Sequence, residues 1–208
     1  MKITFRLLLI FLLLHTCCIL RAQTIYLKNG KVIEIDREKF TLLLYSDRVE
    51  FARARGVTIS NFSKKIDHKD IRYISEGNLI YIALPIKTSG KLRLHQVMAY
   101  NDSFVLTKYI QAEVDLYFVF SRNTKQPLLL WQRDNTKGKA MEAFDAIKTY
   151  FEDCPDLINT MGRSLAQSAT ASPGIHRWSI LPRDFSLYRC KDSKEFNAEE
   201  LAQPVAPK

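Results

Sequence analysis

Cys154 stands directly before Pro155 in the run Glu152-Asp153-Cys154-Pro155-Asp156, at the expected start of a helix. A thiolate in that position would be stabilised by the helix N-terminus and could act as a nucleophile. No histidine accompanies it in the pattern of a cysteine nucleophile and its base, so it reads as a structural cysteine, buried or bridged. The chain has four cysteines, and Cys17 and Cys18 fall in the N-terminal leader. That leaves Cys154 and Cys190, which can pair in an oxidising compartment, although sequence separation alone does not bring two Cα atoms to bridging distance. There is no C-x-x-C, so neither a thioredoxin-like redox pair nor a cysteine zinc site has support.

Histidine and carboxylate chemistry read no more strongly. His68 lies among Asp67, Lys69 and Asp70, a mixture that resembles a solvated turn more than a set of metal ligands at diagnostic spacing. His95 alternates with Leu94 in a strand-like run, which suggests surface exposure, and His176 follows a linker. Asp134, Glu142, Asp145, Glu152 and Asp153 fall on the polar side of a helical pattern and serve solubility. No G-x-S-x-G elbow surrounds a serine, since Ser164 follows Arg163 late in a helix, and no glycine-rich phosphate loop occurs. We therefore expect no catalytic residue, no metal and no cofactor.

The strongest surface signal is basic. Arg48, Arg53, Arg55, Lys64, Lys65, Lys69 and Arg72 cluster within 25 residues. Of these, Arg53, Arg55, Lys64, Lys65 and Arg72 are the candidate contacts for an anionic glycan, a lipid headgroup or an acidic protein. Charges of this kind also protect sheet edges from pairing with neighbouring molecules. The formal charge is +9 over 208 residues, and removing the leader's Lys2, Arg6 and Arg21 leaves about +6. That balance is basic but lacks the Lys/Arg-rich stripe of a nucleic-acid binder.

The elements that position these residues are mostly strands. Asp70–Leu84 reads as a hairpin around Glu76-Gly77-Asn78, with Ile71 and Tyr73 on one face and Arg72 on the other. Its second arm, Leu79–Leu84, is apolar on both sides and belongs in the middle of a sheet. Asn29-Gly30 between Ile25–Leu27 and Val32–Ile35 is a second hairpin signal. Further strands fall at Phe40–Tyr45, Val49–Arg55, Leu92–Ala99, Phe104–Ile110, Val114–Phe120 and Leu128–Trp131, with short strands and turns over 56–69. The period then shifts to that of an amphipathic helix over Lys139–Asp153, capped by Asn135 or Thr136, and Pro155–Leu165 follows as a shorter one.

The first 22 residues have the layout of a secretory signal peptide: Lys2 and Arg6, the apolar run Leu7–Leu14, and Ala22 at the cleavage point. A lipid anchor at Cys17 or Cys18 is the alternative, disfavoured by His15 and Thr16 where small residues are wanted. The expected organisation is a signal peptide (1–22), a β-rich domain with closing helices (23–165), a linker and docking segment (166–190) and a polar tail (191–208). The fold class expected is mainly β (α+β): an antiparallel rolled or barrel-like sheet packed with one or two C-terminal helices.

The runs YLKNGKVIEI, KIDHKDIRYI and NLIYIAL, then Tyr117-Phe118-Val119 and Tyr150–Leu157 with its D-C-P-x-L signature, resemble uncharacterised exported proteins of Bacteroidetes-type bacteria over residues 24–162. The resemblance implies export and a β-rich fold closed by a helical segment, and it transfers no site. The functional expectation is an exported, non-enzymatic, envelope-associated binding or interaction protein, periplasmic or secreted, whose partner is an anionic envelope component or a protein. It includes no nucleic acid and no transmembrane span once the leader is cleaved. The alternatives are a hydrolase-type enzyme assembled from scattered residues and a structural, lipid-anchored envelope component.

Overall fold

The computed structural model describes residues 23–35, 40–44, 48–53, 62–85, 92–111, 114–124, 127–133, 136–170, 178, 180–181, 185, 187–191 and 193–202. The expected signal peptide (1–22) and Arg55 therefore lie outside the described residues. Two hairpins begin the chain's organisation. β1 (Gln23–Leu27) and β2 (Val32–Ile35) meet at Asn29-Gly30, and β6 (Ile71–Glu76) and β7 (Leu79–Pro85) meet at Gly77-Asn78. Gly30 and Gly77 take φ of 81° and 58°, the left-handed conformation in which a side chain is strained. β1 then pairs with β6, so the two hairpins join into one sheet.

β8 (Leu92–Tyr100), β9 (Phe104–Gln111), β10 (Val114–Ser121) and β11 (Pro127–Arg133) extend it as an antiparallel meander. The order is β11-β10-β9-β8-β7-β6-β1-β2, and β7 is an inner strand, as its two-sided apolar pattern requires. A separate three-stranded sheet runs β3 (Phe40–Leu44), β4 (Arg48–Arg53), β5 (Phe62–Asp67), and a 3₁₀ turn at His68–Asp70 leads from it into β6. The large sheet does not close into the expected barrel-like form: among the described residues β11 and β2 remain its two edges.

Three apolar clusters divide the two faces of this sheet. One face carries two of them side by side. Ile25, Ile74, Ala83 and Leu94 pack against Val49 and Ile66 of the small sheet. Met98, Leu106, Tyr117 and Val119 pack against α1 (Lys137–Tyr150) and α2 (Pro155–Thr170) through Ala143, Ile147, Leu157 and Met161. The opposite face gathers Ile82, Leu84, Val97, Tyr100, Leu116, Phe118 and Phe120.

The expected shared face of Ile71 and Tyr73 is not observed. Tyr26 registers with Tyr73 but Leu27 with Ile71, so Arg72 is the extra residue of a β-bulge. The bulge puts Ile71 with Ile74 in the small-sheet cluster and turns Tyr73 to the opposite face.

α1 starts two residues earlier than its period suggested, because Thr136 caps it: its hydroxyl accepts from the Lys139 amide at 3.3 Å. Its first turn contains no acid, so that cap stands alone against the helix dipole. Thr136→Ala is expected to cost about 1 kcal/mol, read as a fall of roughly 3 °C in melting temperature. α2 continues to Thr170, five residues into the expected linker, because Leu165 is buried and the Ser168 hydroxyl bonds back to the Ser164 carbonyl. The turn between the helices is held by Asn101, whose amide donates to the Tyr150 carbonyl (3.1 Å) and to Asp153 Oδ1 (2.9 Å).

The expected polar tail is docked over its described residues, which end at Ala202. Cys190 bonds to Cys154 with sulfurs 2.03 Å apart, tying the segment to the turn between α1 and α2. β7 pairs with β8 only as far as Gln96, which leaves Ala99 and Tyr100 open for β12 (Tyr188–Arg189) to add in parallel. The chain then rounds the β8–β9 turn, where Asp102 accepts from the Lys194 amide. Phe196 packs on Tyr100, and α3 (Ala198–Ala202) lies over β6 and β7 with Leu201 in the core.

Candidate functional site

Two histidines expected near the surface are buried, and they mark the face beneath α3. His95 is 0% exposed and His68 2%. The correction for His95 has a strand-level cause. It registers with Ile82 and lies on the same face as Val97, so it faces the apolar cluster beneath α3. His68 is covered because its 3₁₀ turn packs against β8.

The imidazole of His95 sits in an aromatic setting. Phe118 and Phe120 of β10 meet it edge-on, with ring centroids 4.8 and 5.9 Å away, and Tyr109 lies at 5.7 Å. β8 and β10 are separated by β9, so their backbones would be about 9.5 Å apart in a flat sheet. The 4.8 Å contact is made by side chains that lean toward each other across β9. His95 Nδ1 is 3.2 Å from the Thr107 hydroxyl, which in turn donates to the Phe118 carbonyl. The other ring nitrogen, Nε2, is buried and makes no hydrogen bond among the described residues. Burial, reinforced by the neighbouring His68, pushes the His95 pKa down to about 3, so the ring is neutral.

At the border of this face the bulge aims Arg72 at α3, and its guanidinium reaches Glu199 at 3.3 Å. Tyr26 and Tyr73 stack beside it with ring centroids 4.2 Å apart. Burial, then the neighbouring Tyr26 and Glu199, pushes the Tyr73 pKa up to about 12. The assembly is a covered aromatic cluster with a neutral imidazole inside it, bordered by a phenol pair and an ion pair.

The basic residues divide between two sheets. Lys65 lies in β5 opposite Glu50, 3.6 Å from its carboxylate, and Arg48 donates to the same oxygen. Glu50 is itself buried, and sequence reading gave it no role. The Arg48 hydrogen bond holds its carboxyl below the usual range against the opposing effect of burial, with Lys65 assisting. Arg53 registers with Phe40 in β4 and Lys64 with Phe51 in β5, while their side chains, like the whole of Arg55, lie outside the described residues. Arg72 belongs to the other sheet. The structure thus gathers Arg48, Glu50 and Lys65, and sets Arg72 apart against Glu199.

Among the described residues no group of three or more His, Cys, Asp or Glu side chains is placed to hold a metal ion, and no helix is long and apolar enough to cross a membrane. Cys154 is bonded and buried, so the reactive-thiol chemistry it offered in sequence is closed to it in this state. A signal for the buried histidines was present. Val97-Met98-Ala99-Tyr100 is apolar on both sides, so a residue two positions earlier in the same strand is covered as well. No family model, curated protein or solved structure matches this chain.

Proposed function

We propose that this chain is an exported, disulfide-stabilised β-sheet module that acts by binding, with the basic small sheet as its contact surface for an anionic envelope component. The carrying observation is the Cys154–Cys190 bond, which persists in oxidising compartments and agrees with a leader of secretory layout. The side chains of Lys65 and Lys69 are mostly exposed at one end of the small sheet, with Arg48 beside them. Cations on a scaffold of this kind raise the encounter rate with an anionic surface and lose that advantage as salt screens them.

Mass measurement of the mature protein recovered from its native cell tests the reading. The expected species begins at Gln23 and carries the intact disulfide. An unprocessed chain or an acylated Cys17 or Cys18 would overturn the soluble exported form. For the contact surface, Arg53→Glu with Arg55→Glu and Lys65→Glu is expected to release the protein from the envelope fraction at low salt. Retention equal to the parent would refute the basic sheet as the contact.

A further inference from the structure

β1 is an inner strand, and its first residue already lies inside the sheet. Gln23 registers with Ile35 of β2 on one side and with Glu76 of β6 on the other. Its side chain shares a face with that of Ile25, and Ile25 and Ile35 both belong to the small-sheet cluster. Gln23 is 7% exposed, and its Oε1 is buried with no hydrogen-bond partner. A buried amide oxygen in that state is costly. Removal of the leader after Ala22 adds a second cost at the same place. The new α-amine, ordinarily protonated at neutral pH, puts a cation between two paired strands and beside Ile35.

We propose that Gln23 is a modification site: after export its α-amine closes on its own side-chain amide, and the mature chain begins with a pyroglutamyl ring. The proposal rests on the leader being removed after Ala22. The unprotonated amine attacks Cδ, so that a bond forms from the α-nitrogen to Cδ and the bond from Cδ to Nε2 breaks. The proton lost by the amine leaves with Nε2 as ammonia. Oxidation states do not change, and a cyclising enzyme would alter only the rate. Ring closure removes both costs, because the ammonium becomes a neutral lactam N–H and the amide oxygen is drawn back from the covered face to the chain's end. No hydrogen bond holds that oxygen in place against the movement. The rival arrangement is an open chain whose ammonium pairs with Glu76, the acid in register with it.

The test is the intact mass of the oxidised mature protein from its native cell, with tandem mass spectrometry of its N-terminal peptide. The expected mass is that of the chain from Gln23 less one ammonia, with the loss located at residue 23. The α-amine is also expected to resist an amine-specific label. Gln23→Asn, whose amide is one methylene too short to close an unstrained ring, is expected to keep a labelled α-amine and the full mass. A wild-type chain that begins at Gln23 with full mass and a labelled amine would overturn the modification and leave the leader reading intact. A chain that begins at any other residue would overturn both.

Discussion

Replacing both Cys154 and Cys190 by alanine is expected to lower the unfolding free energy by about 4 kcal/mol, since the bond closes a loop of 36 residues in the unfolded chain. The loss reaches further than the helix turn, because the bond is the covalent anchor for the segment that carries β12, Phe196 and Leu201. Reductant should move the wild-type denaturation midpoint by the same amount and leave the double variant unmoved. A difference under about 1 kcal/mol between oxidised and reduced wild type would mean that the C-terminal segment is held by packing alone.

The second large effect is an acid-side loss of stability centred on His95. Its pKa is about 3 in the folded protein against an ordinary 6.5, so the unfolded chain takes up a proton that the folded one refuses. The contribution is complete above pH 6.5 and declines as pH falls from 6.5 toward 3. Between pH 7 and pH 5 the expected loss is about 2 kcal/mol. His95→Phe removes the titrating group and keeps a ring against Phe118 and Phe120, so its stability should be flatter with pH over that interval. Wild type and variant share the remaining titrating groups, which makes the difference between them the proper readout. Glu50 adds an acid-side loss of its own at lower pH. Its carboxyl is held below 4.5, so its contribution is present above that value and disappears as the pH drops through the lowered folded value. Identical slopes in wild type and His95→Phe between pH 7 and pH 5 would show that the imidazole is not held neutral.

Local residue choices made much of the fold legible. Asn29-Gly30 and Gly77-Asn78 could be read as turns because positive φ is a local property, and both hairpins form there. Leu79–Leu84 could be placed inside the sheet because both of its sides are apolar. The change of period from Ala140 announced two helices, and Pro155 opens the second. Arg72 defeated the same reasoning. Strand alternation assumes an unbroken register, and one bulge against β1 moved Ile71, Tyr73 and Arg72 to different partners. Ile74 breaks the alternation within this strand, but the bulge that explains it arises from pairing with a strand far away in sequence.

By itself, the sequence determined an antiparallel, mainly β chain with a helical cover, a leader pattern and one available cysteine pair. Those features rest on short-range periodicity, turn chemistry and composition, which each stretch carries within itself. Only the tertiary structure decided that Cys154 and Cys190 meet, that His95 is buried and neutral, and that Arg72 pairs with Glu199. Each of these depends on which distant segment covers a given face. Burial and pairing are properties of the assembled sheets, and no single strand's pattern contains them.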